Sequence, residues 1–206
     1  REQAFLDAQY PTPEKRQLYD QYRYEWHRRP HEFNAENAPL SVNCELVSTC
    51  NLACTMCYTV TEEFQNSIIG SQRMMPWPQV RSIIDEAAEL GVPSMSFSWR
   101  GESTLYKFNQ DGQTIRFADV LKYAREKGIL EITSLTHGQH IDQNMAEAIV
   151  DAAPNWISIS MDGIYEEYNS IRTPRNKNIQ TYDAFHHLVE NIKRLVKIRN
   201  DRGQKL

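Results

Sequence analysis

The chain has 206 residues, of which 40% are hydrophobic and 24% are charged, and its formal net charge is −4. This composition is typical of a folded globular protein and excludes disordered and collagen-like classes. No stretch approaches the roughly 20 apolar residues of a membrane span, and the N-terminal segment lacks a signal peptide's apolar core. With a pI of about 5.9, a large basic surface is not expected, so neither a membrane nor a nucleic acid is an expected partner.

Residues 1–39 form a predicted helical extension that precedes the main fold. The Pro-Thr-Pro-Glu sequence before residue 15 is typical of a helix start, and it predicts a helix over residues 15–27. Tyr19, Tyr22 and Trp26 recur at spacings of three and four, so they share one face of this helix. We therefore expect the aromatic face to pack against another part of the protein.

From residue 40 onward, strand patterns alternate with helix patterns. The predicted strands are 40–47, 94–99, 130–135 and 156–161, and the predicted helices are 76–90, 117–127, 143–153 and 182–199. This order implies right-handed crossovers, so it predicts an α/β fold with a parallel sheet. Functional residues of such folds gather at the carboxyl ends of the strands.

Both ends of the chain bear on its completeness. The first residue is Arg1 rather than Met, and residues 203–206 are typical of a turn that leads into another strand. We therefore expect the chain to be a piece of a longer protein, with residues 40–206 forming a core that is truncated after four βα units.

All four cysteines, Cys44, Cys50, Cys54 and Cys57, lie in one short segment. Such clustering favours a metal or iron–sulfur site over a disulfide framework, whose cysteines would be spread along the chain. It also predicts a reducing, cytoplasmic location. Three of the cysteines follow the first predicted strand with the spacing C-x3-C-x2-C. Three thiolates can hold three irons of a [4Fe–4S] cluster and leave the fourth iron open for a ligand.

The alternative function is a non-catalytic zinc or iron–sulfur electron-transfer module that uses all four cysteines. Structural zinc needs four ligands, so Cys44 would have to be the fourth. However, Cys44 falls within the first predicted strand, on the same face as Val42 and Leu46. This position predicts a small buried hydrophobic residue instead. Metal content separates the two functions, since one requires about four irons and the other one zinc.

The motif Cys50-x3-Cys54-x-Met56-Cys57 resembles that of the radical S-adenosylmethionine (SAM) superfamily. The resemblance implies a partial, TIM-like (βα)6 barrel with a [4Fe–4S] cluster held by Cys50, Cys54 and Cys57. It also implies an enzyme that binds SAM at the free iron and cleaves it reductively to methionine and a 5′-deoxyadenosyl radical. That radical would abstract hydrogen from an unidentified peptide or small molecule. An electron donor such as a flavodoxin or ferredoxin is implied as a partner.

Other segments at predicted strand ends resemble SAM-contacting motifs of the same family. Gly101 and Glu102 match part of the Gly-Gly-Glu-Pro segment, which contacts the amino group of SAM. A carboxylate is an acceptor for an ammonium group, and glycine permits a close backbone approach. Ser160 and Asp162 match the Ser-x-Asp-Gly segment, which implies hydrogen bonds to SAM or to the substrate, with a plain turn at the strand end as the alternative. The resemblance implies that Met56 packs near the adenine, with simple packing within the loop as the alternative.

The chain also departs from the family pattern. Arg100 replaces the first glycine and Ser103 the proline of Gly-Gly-Glu-Pro, which leaves open a family member that binds a cluster without turnover. Residues 136–138 (Thr-His-Gly) resemble the family's Thr-Asn-Gly. Arg172 resembles an arginine found after the fourth strand in peptide-modifying members, with a solvated side chain as the alternative. We expect Asn51 to stabilise the cysteine-containing loop through backbone hydrogen bonds.

Overall fold

The computed structural model describes residues 2–176 and 183–204 and has an α/β architecture. The strands are β1 (Ser41–Asn43), β2 (Ser94–Ser96), β3 (Lys107–Gln110), β4 (Gln113–Arg116), β5 (Glu131–Thr136) and β6 (Trp156–Ile159). The helices are α1 (Glu2–Gln9), α2 (Pro13–Glu32), α3 (Glu62–Gln65), α4 (Ile68–Ser71), α5 (Trp77–Glu89), α6 (Phe117–Glu126), α7 (Gln143–Ala152), α8 (Tyr165–Ile171) and α9 (Ala184–Asp201). Two single 3₁₀ turns lie at Tyr58–Val60 and Ser103–Leu105.

Four strands form one parallel sheet in the order β1-β2-β5-β6. The register places Ser94 of β2 between Ser41 of β1 and Glu131 of β5. Each connection between neighbouring strands passes through a helix, namely α5, α6 or α7. The predicted parallel α/β class is therefore confirmed, and among the described residues the sheet stays open rather than closing into a barrel.

The hydrophobic core lies between the helices and one face of this sheet. Met95 and Ile132 are paired neighbours on β2 and β5, and both are fully buried. Helices α5 and α6 contribute Ile84 and Leu121 to the same cluster. Full burial of one such side chain contributes about 1.5–3 kcal/mol to folding. Because side chains alternate along a strand, Ser96 at the end of β2 faces away from this core.

The N-terminal extension covers the amino ends of the strands. The Thr12 hydroxyl accepts a hydrogen bond from the backbone N–H of Lys15 (3.3 Å) and so caps α2. Tyr22 is buried, and its hydroxyl donates to Glu131, the first residue of β5 (3.2 Å). The aromatic face of α2 thus packs on the sheet as predicted, although Trp26 at its far end remains exposed. This packing lies at the opposite end of the strands from the site described below.

The first strand is shorter than predicted, because the chain leaves the sheet after Asn43. The backbone N–H of Cys44 still donates to Ser96 (2.8 Å), but Val47 then forms an antiparallel bridge with Met74. The predicted end of this strand at residue 47 is therefore wrong. The last helix is described from Ala184, and its predicted start at Tyr182 lies outside the described residues.

A β-hairpin of β3 and β4 interrupts the βα repeat and was not predicted. Its two-residue turn consists of Asp111 and Gly112, with φ of 50° and 77°. Positive φ at both turn residues is characteristic of a type I′ turn, for which Asp-Gly is a preferred sequence. The Asp-Gly pair is therefore a local signal from which the hairpin could have been predicted.

None of the helices within residues 2–176 and 183–204 combines the length and the apolar character that crossing a membrane would require.

Candidate active site

A cavity of about 670 Å³ opens at the carboxyl ends of the parallel strands. Asn43, Ser96 and Thr136 are the last residues of β1, β2 and β5, and all three line it. Seven of the predicted site residues also line this cavity: Cys50, Cys54, Met56, Cys57, Gly101, Glu102 and Ser160. Asp162 is not part of the lining. The topology therefore brings segments that are far apart in the sequence to one face of the sheet.

The cysteine loop, residues 50–57, is held by the end of α8 and the residues that follow it. The backbone N–H of Ala53 donates to the carbonyl of Thr173 (2.7 Å), and the N–H of Thr55 donates to Ile171 (3.1 Å). The hydroxyl of Thr173 returns a hydrogen bond to the carbonyl of Ala53 (2.7 Å). Hydrogen bonds within the protein therefore hold the backbone of this loop in place.

The donor set fits a cluster better than a single metal ion. Cys50, Cys54 and Cys57 are free and face one cavity. A structural zinc ion takes four protein ligands, whereas a four-iron cluster presents a separate iron to each of three thiolates and leaves the fourth iron open. Cys44 is 2% exposed and packs in the hydrophobic core, as predicted, so it does not complete a four-cysteine zinc site.

Arg172 connects the cysteine loop to Asp162. Its Nη1 lies 3.7 Å from the sulfur of Cys54, and its Nη2 lies 2.5 Å from the carboxylate of Asp162. Burial raises the pKa of the Cys54 thiol, and the charge of Arg172 opposes that shift. The Arg172 side chain is only 13% exposed, so the alternative of a solvated arginine is wrong. Sequence reasoning did not include Arg172 among the site residues, although its resemblance to the family arginine was a usable signal.

Glu102 is 2% exposed, and protein groups bind both of its carboxylate oxygens. Oε1 accepts from the backbone N–H of Thr104 (3.2 Å), from the Thr104 hydroxyl (2.6 Å) and from the Thr136 hydroxyl. Oε2 accepts from the backbone N–H of His137 (2.9 Å). The carboxylate therefore ties the segment after β2 to the end of β5, and its contact with SAM stays a prediction.

Gly101 is required by the approach of another backbone segment. Its φ is +61°, and an added Cβ would lie 2.4 Å from the carbonyl oxygen of Val47 and 2.6 Å from that of Thr49. The guanidinium of the neighbouring Arg100 pairs with Glu45 (2.6 Å). Arg100, which replaces the family's first glycine, is thus held by an ion pair. Gly101, the family's second glycine, is needed because a side chain would not fit.

His137 contacts the cysteine loop through Asn51. Its Nδ1 accepts a hydrogen bond from the backbone N–H of Gln139 (2.9 Å), so the proton of the neutral ring is on Nε2. Nε2 lies 2.8 Å from Oδ1 of Asn51 and donates to it. Burial lowers the pKa of His137, which favours this neutral form. The backbone carbonyl of Asn51 accepts a hydrogen bond from the N–H of Arg175 (2.9 Å), in line with the backbone hydrogen bonding predicted for it, and the contact of its side chain with His137 is additional.

An apolar rim borders the polar strand ends. Met56, Trp99 and Leu135 line the cavity and keep large exposed surfaces. Exposed apolar side chains beside a cavity are typical of a binding site for a partly apolar ligand. The assignment of Met56 to the adenine stays a prediction.

Comparison with known proteins places this chain in a family. The model of the radical SAM superfamily matches residues 44–200. The chain is 29% identical over 143 residues to Fe-coproporphyrin III synthase of Methanosarcina barkeri (strain Fusaro / DSM 804), and the match covers 68% of this chain and 31% of that protein. The chain thus spans about a third of the length of this curated relative.

Solved structures share the fold. Native anSMEcpe with bound AdoMet (SAM) superposes with a TM-score of 0.58 at 21% identity, covering 78% of this chain and 42% of that chain. The same protein with AdoMet and the Cp18Cys peptide gives 0.55 at 20% identity, covering 77% and 40%. The family match confirms the superfamily that the cysteine motif predicted, whose members use a [4Fe–4S] cluster and SAM. The chain belongs to the radical SAM superfamily.

Proposed function

We propose that this chain acts as a radical SAM enzyme in which Cys50, Cys54 and Cys57 hold a [4Fe–4S] cluster. One observation carries the proposal, namely that three free cysteines and the carboxyl ends of the parallel strands face the same cavity. Its volume of about 670 Å³ lies within the range of pockets that enclose small molecules and cofactors.

When bound, the cluster would supply the electron for reductive cleavage of SAM to methionine and a 5′-deoxyadenosyl radical. That radical would take a hydrogen atom from the substrate. The protein's part is to bind and orient SAM. Glu102 attracts the SAM ammonium, because Oε2 accepts one backbone N–H and retains capacity for another donor. Ser160 lies in the cavity wall and provides a hydroxyl for the ribose or carboxylate. Met56 packs against the adenine.

Asp162 is proposed to act on the site through Arg172 and not by lining the cavity itself. Its carboxylate pairs with Arg172, which itself lines the cavity and contacts Cys54. Asp162 therefore orients a cation beside the cysteine loop, and a hydrogen bond to SAM or to the substrate would compete with this pair.

The substrate is proposed to be a peptide or a small molecule. Among the relatives, one is named Fe-coproporphyrin III synthase and another was crystallised with a peptide. The proposed electron donor is a flavodoxin or a ferredoxin. Four free cysteines support a reducing, cytoplasmic location.

The test is reductive SAM cleavage by the full-length protein after anaerobic reconstitution. With dithionite and SAM, chromatography should show slow formation of 5′-deoxyadenosine and methionine without any substrate. Alanine variants of Cys50, Cys54 and Cys57 should lose both the iron and the product, since each thiolate serves a separate iron. The matched control is Cys44→Ala, which should retain both. S-adenosylhomocysteine alone would indicate methyl transfer, and the absence of both products would favour the non-catalytic alternative.

A further inference from the structure

A chain of three hydrogen-bonded groups crosses from the end of β5 to the cysteine loop. The backbone N–H of Gln139 donates to Nδ1 of His137 (2.9 Å), and Nε2 of His137 donates to Oδ1 of Asn51 (2.8 Å). Asn51 directly follows Cys50. The imidazole side chain is 3% exposed, so water does not compete for either ring nitrogen.

The His137 end of this chain is anchored by helices that lie outside the cysteine loop. The Gln139 side chain donates to the hydroxyl of Tyr168 on α8 (2.9 Å) and to the carbonyl of Ala184 on α9 (2.7 Å). Asn191 of α9 donates to the carbonyl of Gly138 (2.9 Å). Residues 137–139 are therefore held by hydrogen bonds other than those they make with the loop.

Geometry distinguishes the two acceptors near Nε2. Oδ1 of Asn51 lies at 2.8 Å, whereas Oε2 of Glu102 lies at 3.4 Å and already accepts the backbone N–H of His137. A ring whose Nδ1 is an acceptor has only one N–H to donate. The single proton is therefore directed at the loop, and an ion pair with Glu102 is not its main contact.

We propose that His137 is a positioning residue. The hydrogen bond that its Nε2–H donates to Asn51 fixes the Asn51 side chain and, through it, the backbone next to Cys50. The inference rests on the proposed function in so far as the cysteine loop holds a cluster. The donated hydrogen bond itself belongs to the protein and exists without the cluster. A glutamine at position 137 can present an amide N–H close to the position of Nε2, whereas an asparagine is too short to reach Asn51.

The first test measures how fast the reconstituted cluster loses iron to a chelator. Loss of one buried hydrogen bond between neutral groups should speed iron release roughly threefold to tenfold in His137→Asn. His137→Gln should restore a rate near that of the parent. His140→Asn, the same change at an exposed histidine nearby, is the matched control and should leave the rate unchanged.

A double-mutant cycle separates positioning from general stability. In the background of Asn51→Ala, the change His137→Asn should add little, because its acceptor is already missing. Equal effects of His137→Asn with and without Asn51 would overturn the proposal, since they would show that the histidine acts through packing alone.

The second test needs no cluster and does not depend on the proposed function. In cluster-free protein labelled with ¹⁵N-histidine, the NMR shifts of His137 should show an unprotonated Nδ1 and a protonated Nε2. The opposite tautomer or a doubly protonated ring would overturn the proposal. If the parent chain holds no cluster at all, the proposed function fails, while the tautomer and a cycle on the free energy of unfolding still decide the role of His137.

Discussion

Replacement of Glu102 by glutamine is expected to destabilise the fold before any cofactor binds. Two backbone donors point at different oxygens of this carboxylate, Thr104 N–H at Oε1 and His137 N–H at Oε2. An amide has one oxygen and one NH₂ group. Whichever way the glutamine is oriented, one of these backbone N–H groups faces another N–H.

The cost follows from this mismatch. Glutamine is nearly isosteric with glutamate, so no cavity forms, and Glu102 is 2% exposed, so the unpaired N–H has little access to water as a replacement acceptor. A buried donor without an acceptor costs about 1–3 kcal/mol. For a chain of this size each kcal/mol lowers the melting temperature by roughly 2–4 °C. The melting temperature should therefore fall by roughly 2–12 °C.

The assay is thermal unfolding of cluster-free protein without SAM, followed by circular dichroism. Glu86→Gln makes the same change at an exposed position of α5 and should leave the melting temperature within about 1 °C, since such surface changes have small effects. If Glu102→Gln melted with its parent while weakening SAM binding, Glu102 would act on SAM alone and the reasoning from its hydrogen bonds would be refuted.

Two further predictions concern stability. Gly101→Ala should cost more than Gly112→Ala: both have positive φ, but only at Gly101 does an added Cβ meet backbone oxygens, whereas nothing lies within 4 Å at Gly112. Equal losses of unfolding free energy in denaturant titrations would contradict this. Hydrogen bonds from Arg28 and then Arg29 hold the pKa of Glu25 down to about 2. Its stabilising contribution is complete above the ordinary value of 4.5 and is lost as pH falls toward 2. The melting temperature of Glu25→Gln should therefore change less than that of the parent over this range, and parallel pH profiles would count against the ion pairs.

Local patterns in the sequence were enough to predict the parallel sheet and the place of the site. Apolar alternation and helical spacing identify the elements because each depends on neighbours a few residues away. The short spacing of Cys50, Cys54 and Cys57 likewise places the three thiols in one loop. Asp111-Gly112 was an equally local signal for the hairpin.

Tertiary structure alone decided how the segments around the site hold each other. The first strand ends early because Val47 pairs with Met74, and Gly101 is needed because the backbone of residues 47–49 lies against it. Arg172 reaches Cys54 across 118 residues, and His137 reaches Asn51 across 86. These contacts depend on which loops meet once the strands are aligned. No pattern within one segment encodes that meeting, because hydrogen-bond partners are selected by proximity in the folded chain.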